Sequence, residues 1–238
     1  MSDSIREHHV VVSRSARYVT FGSPHATARE IWFAFHGYGQ LAGSFATALA
    51  ALDDGRQLVV VPEGLSRFYL TGTGGRIGAS WMTSEDRLHE IEDYIGYLDA
   101  ILQTVESETT AGTRPTIHLL GFSQGSATAC RWIAHGAVRP KRLIIWGGEI
   151  PADLDWTVAG NAFRSLGEVV LVAGTDDRYA TPQAVERYAD VLESHGVRHR
   201  TVAFEGGHRL DDTALRSLVT SPGSRGQGTA PRTIQGPL

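Results

Sequence analysis

"HLLGFSQGSATACRWIA", His118 to Ala134, holds a Gly-x-Ser-x-Gly at its centre: Gly121, Phe122, Ser123, Gln124 and Gly125. It raises the question whether Ser123 is a nucleophile or a serine that happens to lie between two glycines. In a chain with 27 glycines such a short pattern can arise by accident. Context decides. Thr116–Phe122 reads as a buried strand and Gln124–His135 as a helix, so the serine falls on the turn between them. A side chain there takes a strained backbone conformation, and the glycines on either side let strand and helix approach closely. Ser123 would then stand at the C-terminal end of a sheet, beside a helix N-terminus that favours developing negative charge.

The bulk numbers fit that setting. The 238 residues suit one large α/β domain, and 42% hydrophobic with 20% charged content is ordinary for a packed core. A formal charge of -4 with scattered arginines argues against a nucleic-acid surface. No apolar run approaches membrane-spanning length. The start, "MSDSIREHHVVV", mixes acids and histidines where a secretory apolar segment would lie. Cys130 is the only cysteine, which excludes an internal disulfide and a cysteine-rich metal site. A cytoplasmic protein is the expectation. Lys141 is the only lysine and opens a strand rather than following one, so lysine-based nucleophilic chemistry is not expected.

Along the chain, strands are expected at 10–20, Glu30–Phe35, "QLVVVPEG" up to its stop at Pro62 and Gly64, "TIHLLGF", "RLIIWGG", "EVVLVAGT" and "HRTVAF". Helices are expected at Ser44–Leu52, Glu85–Val105 with Ser84 as N-cap, Gln124–His135, near Asn161–Leu166, Pro182–His195 and Arg209–Val219. This alternation predicts a mainly parallel sheet with helices on both faces, as one domain over residues 1–219. Leu65–Thr83 reads as a long glycine-rich loop, a length that usually serves function. Residues 220–238, rich in glycine, proline and serine, read as a flexible tail.

A serine hydroxyl needs a base. His208, in "FEGGHRL" after the last strand, occupies the place for one. The base in turn needs a carboxylate to fix its tautomer. "GTDDRY" offers Asp176 and Asp177; Asp177 is favoured by its Gly-x-x-Asp offset from Gly174, and Glu149 is a third candidate. Donors for an oxyanion are expected from the N–H of Gln124, next to the serine, and from the loop "FHGYGQ", with Tyr38 the chosen residue.

Together these residues resemble the α/β-hydrolase fold and, within it, the carboxylesterase/phospholipase family that includes acyl-protein thioesterases. The resemblance rests on His36-Gly37-Tyr38-Gly39, Gly121-Phe122-Ser123-Gln124-Gly125, Gly174-Thr175-Asp176-Asp177 and Gly207-His208, with "ASWM" around Trp81 similar to the family's Ala-Trp-Phe-Asp. It covers about residues 29 to 218. It implies hydrolysis of carboxylic esters or thioesters without a cofactor, metal or large lid. It also implies a Ser123–His208–Asp177 triad with Tyr38 and Gln124 at the oxyanion. Met82-Thr83 stands where the family often has Phe-Asp, and the segment from Pro62 is this chain's own, so a small or medium acyl ester is the expected substrate. Thioesterase, lysophospholipase and a non-catalytic binding module are the alternatives, and a monomer or homodimer is expected.

Four aromatic residues, Phe68, Tyr69, Trp81 and Trp146, are candidates for an acyl pocket because each sits on or beside a C-terminal loop. Cys130 is expected to pack on the sheet. His8-His9 has no second ligand cluster at metal spacing in the sequence. Glu85, Asp86 and Glu90 read as a solvated first helical turn.

Overall fold

A computed structural model describes residues 5–109 and 115–220. Its elements in chain order are β1 (Tyr18–Gly22), β2 (Glu30–Phe35), α1 (Ala42–Ala48), β3 (Gln57–Pro62), β4 (Ser66–Thr71), β5 (Gly74–Ser80) and α2 (Arg87–Glu108). There follow β6 (Thr116–Phe122), α3 (Gln124–His135), β7 (Arg142–Trp146), α4 (Trp156–Arg164), β8 (Glu168–Gly174), α5 (Pro182–Ser194), β9 (His199–Phe204) and α6 (Asp212–Thr220). Seven strands form one sheet in the order β1-β3-β2-β6-β7-β8-β9, and all its pairings are parallel except that of β1 with β3. This is the α/β-hydrolase architecture, and the expected fold class holds.

Side-chain alternation along the strands divides the core in two. Phe33, Phe35, Leu119, Leu143 and Ile145 face one layer, where they meet α2 and α3 through Tyr94, Leu98 and Trp132. Trp32, Ala34, Leu120, Ile144 and Trp146 face the other, where α1 and α6 contribute Phe45, Leu215 and Leu218. Both faces of the central strands are apolar, as covered parallel strands require. Among the described residues no helix is long and apolar enough to cross a membrane.

Three expectations need correction. The first strand begins at Tyr18, not at residue 10. Tyr18 pairs with Pro62, the last residue of β3, so the chain upstream has no ladder partner there and Val10, Val11 and Val12 lie exposed. Leu65–Thr83 is not an irregular loop: β4 and β5 make an antiparallel hairpin apart from the main sheet, turned by Gly72 at φ 58°. The long helix starts at Arg87 with Asp86 as its N-cap, in the left-handed region at φ 47°, rather than with Ser84. The tail expected from residue 220 lies outside the described residues from 221 onward.

Candidate active site

The hairpin and the C-terminal ends of β2, β6, β8 and β9 build the candidate site. β6 delivers Ser123 at the turn into α3 with φ 53° and ψ −121°. That conformation costs a non-glycine residue about 1–3 kcal/mol, and the surroundings hold it there. The Ser123 N–H donates to the Trp146 carbonyl at 2.9 Å, and the Ser123 carbonyl accepts from Ser126 N–H at 3.0 Å. The two glycines are sterically required. A Cβ on Gly121 would lie 2.5 Å from the Gly125 carbonyl oxygen, and one on Gly125 would lie 2.6 Å from the Phe35 carbonyl carbon.

After β8, Asp177 is buried, with its side chain 2% exposed. Oδ1 accepts the N–H groups of Tyr179 at 2.8 Å and Ala180 at 3.0 Å, which leaves Oδ2 for His208 Nδ1 at 2.9 Å. Burial alone would raise this carboxyl's pKa. The bonds from Ala180 N–H, His208 and Tyr179 N–H outweigh burial and hold it below the ordinary aspartate value. An ionised Asp177 keeps the proton on His208 Nδ1 and leaves Nε2 as the ring's basic nitrogen. His208 follows β9; its ring lies 4.9 Å from that of Phe122, the residue before Ser123, and 4.7 Å from that of Tyr179. Gly147, directly after Trp146, sits between: a Cβ there would be 3.1 Å from both Asp177 Oδ2 and His208 Nδ1. Asp176 and Glu149 are exposed.

The loop after β2 flanks the serine from the other side, since a Cβ on Gly37 would be 3.1 Å from Ser123 Cβ. Three of its amides are engaged. Gly37 N–H donates to Gln40 Oε1 at 2.8 Å, Gly39 N–H to the Ala79 carbonyl at 2.9 Å, and Gln40 N–H to the Gly37 carbonyl at 3.2 Å. Tyr38 N–H has no acceptor among the described residues. Gln124 N–H opens α3, where amides lack intrahelical partners. The fully buried His36 anchors the loop. Its Nε2 accepts from Gly64 N–H at 2.9 Å, its Nδ1 lies 2.8 Å from the Gly37 carbonyl, and the His36 carbonyl accepts from Trp81 Nε1 at 2.9 Å. Burial lowers its pKa, so it is a neutral brace.

Sequence reasoning missed the Gln124 side chain. Its Nε2 donates to the Met82 carbonyl at 2.8 Å and to Ser80 Oγ at 3.1 Å, while Oε1 accepts from Trp81 N–H at 3.1 Å. It ties the strand leaving the hairpin to the serine turn. The glutamine's place beside the serine was the available signal, yet that place speaks for its backbone N–H and not for its amide group.

The pocket expectations divide. The Phe68 ring is half-buried, 5.1 Å from the exposed Tyr38 ring, so it borders the loop, whereas Tyr69 is on the hairpin's outer face. Trp81 and Trp146 are core residues, each 1% exposed, on opposite layers of the sheet. The Trp146 indole donates to the Arg209 carbonyl at 2.9 Å, beside His208. Trp81 borders a cavity of about 600 Å³ between the N-terminal segment, the hairpin and α2, which takes in none of Ser123, Asp177 and His208.

Cys130 is fully buried in α3, and burial pushes its thiol up to about 12, which removes it from reactive chemistry. The helix-start acids are more than a solvated turn. Glu90 accepts from Thr83 N–H and Ser66 Oγ, and Asp86 lies between His9 and His89 at 3.2 and 2.6 Å. The His9 and His89 rings stack at 3.9 Å, the arrangement of two imidazoles sharing one carboxylate.

Comparison with known proteins agrees with this architecture. The sequence model of a family described as phospholipase/carboxylesterase matches residues 19–221. Among solved structures, the chain resembles acyl-protein thioesterase 2 of Zea mays at 20% identity and a TM-score of 0.65, covering 86% of this chain and 98% of that one. It resembles the Bacillus cereus carboxylesterase at 16% identity and 0.63, covering 86% and 92%. It also resembles Arabidopsis thaliana SOBER1 at 18% identity and 0.64, covering 81% and 97%. At these identities the likeness is one of fold. No match is found among curated proteins.

Proposed function

The chain belongs to the phospholipase/carboxylesterase family, and from that premise we propose that it is a serine hydrolase of short- to medium-chain acyl esters. Ser123 Oγ attacks the acyl carbonyl while His208 Nε2 takes its proton. The tetrahedral oxyanion accepts hydrogen bonds from Tyr38 N–H and Gln124 N–H. Collapse breaks the ester C–O bond, and His208 returns the proton to the departing alcohol. A water, activated by the same imidazole, then attacks the acyl-enzyme and frees Ser123 and the acid. Asp177 stays ionised throughout and stabilises the imidazolium.

The observation that carries the reading is the 2.9 Å His208–Asp177 hydrogen bond beside a serine held at φ 53°. A fluorophosphonate probe tests it: the wild type is expected to label at Ser123 and Ser123→Ala to lose both labelling and p-nitrophenyl ester hydrolysis. A folded Ser123→Ala protein that still turned over would exclude the mechanism. A thioesterase would use the same residues. A chain-length series of p-nitrophenyl esters, run beside acyl-CoA, separates the two substrate classes.

A further inference from the structure

Beyond the triad, the described residues hold a buried carboxylate that the mechanism does not use. Glu63 follows β3 and its side chain is 1% exposed. An unpaired carboxylate buried to this degree would be strongly unfavourable, so its partners define its purpose. Oε1 accepts from Arg17 Nε at 2.8 Å and Arg67 Nε at 2.6 Å. Oε2 accepts from Arg17 Nη2 at 2.9 Å and from Ala42 N–H at 3.1 Å. These donors come from three separate parts of the chain: the segment before β1, the first strand of the hairpin, and the start of α1.

The last two flank the oxyanion loop. Ala42 is the first residue after the loop that carries Tyr38, and Arg67 lies on the strand whose Phe68 ring packs against Tyr38. At the same end of the hairpin, Ala79, the cross-strand partner of Arg67, forms an antiparallel bridge with Gln40 of the loop. The loop is therefore held by the bridge at one point and by a single carboxylate just beyond its end. Gly64, next to Glu63, holds the other side through His36 Nε2.

We propose that Glu63 is a positioning residue, which locks the hairpin and the start of α1 together so that Tyr38 N–H keeps its aim at the oxyanion. This rests on the ester-hydrolase reading above. Glutamine is a poor replacement for it, because the amide nitrogen presents donors to guanidinium groups that themselves only donate. Arg17 serves as the internal control, for it grips the same carboxylate but lies before β1, outside both the loop and the hairpin.

The test compares wild type, Glu63→Gln, Arg67→Met and Arg17→Met well below each melting midpoint. It reads kcat and KM on p-nitrophenyl acetate and the rate of fluorophosphonate labelling at Ser123. Glu63→Gln is expected to lower kcat roughly tenfold or more with KM changed less than about threefold, and to slow labelling in proportion. Arg67→Met should move kcat the same way by about threefold, and Arg17→Met should lower the melting midpoint with kcat within about twofold. A folded Glu63→Gln protein with wild-type kcat would overturn the proposal. If that variant does not fold, wild-type kcat in Arg67→Met overturns it instead. A wild type that never labels overturns the hydrolase reading and this one with it.

Discussion

His208 Nδ1 lies 2.9 Å from Asp177 Oδ2, while the adjacent Asp176 carboxylate is exposed and its backbone N–H instead holds the Gly206 carbonyl at 2.8 Å. The two aspartates that the sequence leaves nearly equivalent are thus different in kind. Asp177→Asn should lower kcat by roughly 10³–10⁴-fold, because an amide does not hold the imidazole in the required tautomer. Asp176→Asn should change it less than about threefold. Ester hydrolysis by the two purified variants decides, and the reverse order would move the acid by one residue.

Gln124 has two separable roles. Its N–H survives any side-chain change, but Gln124→Ala removes the bonds to Ser80, Trp81 and Met82. Each part-buried bond contributes about 1 kcal/mol, so a loss of about 2–3 kcal/mol in stability is expected. Activity should fall chiefly through KM as the segment after the hairpin drifts from the serine turn. Denaturant unfolding and steady-state kinetics measure the two effects independently.

Trp146 tethers the residue that follows His208. Trp146→Phe keeps the aromatic packing on Phe204 but leaves the Arg209 carbonyl without its indole donor. The expected outcome is a roughly three- to tenfold fall in kcat with little change in KM, since the His208 loop loses a tether. An unchanged kcat would show that the Asp177 bond suffices alone.

His118, on β6 and stacked on Trp32, is buried with both ring nitrogens unbonded; the Glu30 carboxylate, 3.9 Å away, is beyond hydrogen-bond reach. Burial lowers its pKa to about 4, helped by the charges of Arg142 and Lys141. The unfolded chain takes up a proton near pH 6.5 and the folded chain does not, so stability falls as pH drops from 6.5 toward 4. His118→Phe should abolish about 2 kcal/mol of the stability lost between pH 7 and pH 5. Urea unfolding at the two pH values reads this directly.

The fold was legible because its central strands, from "IWFAF" to "VVLVAG", are buried on both faces and leave continuous apolar runs. Ser123, Asp177 and His208 stood out as candidates because each follows a strand, at β6, β8 and β9. The hairpin was not. Gly74–Ser80 has no apolar alternation, and it becomes a strand only because Ser66–Thr71 lies alongside. The burial of Trp81 and Trp146 on opposite layers was not legible, because position after a strand does not say which layer an indole enters. Glu63 was silent for a related reason: its partners come from residues 17, 42 and 67, and only the fold brings them together.

The hairpin shares no backbone ladder with the main sheet and is fastened near its ends, by Ser66 and Arg67 on one strand and by residues 79–82 on the other. The strand order of the main sheet is therefore independent of the hairpin's own pairing. Residues 72–77, outside these fastenings and clear of the Phe68–Tyr38 contact, are the stretch that can be exchanged while the main sheet and the serine turn stay as they are.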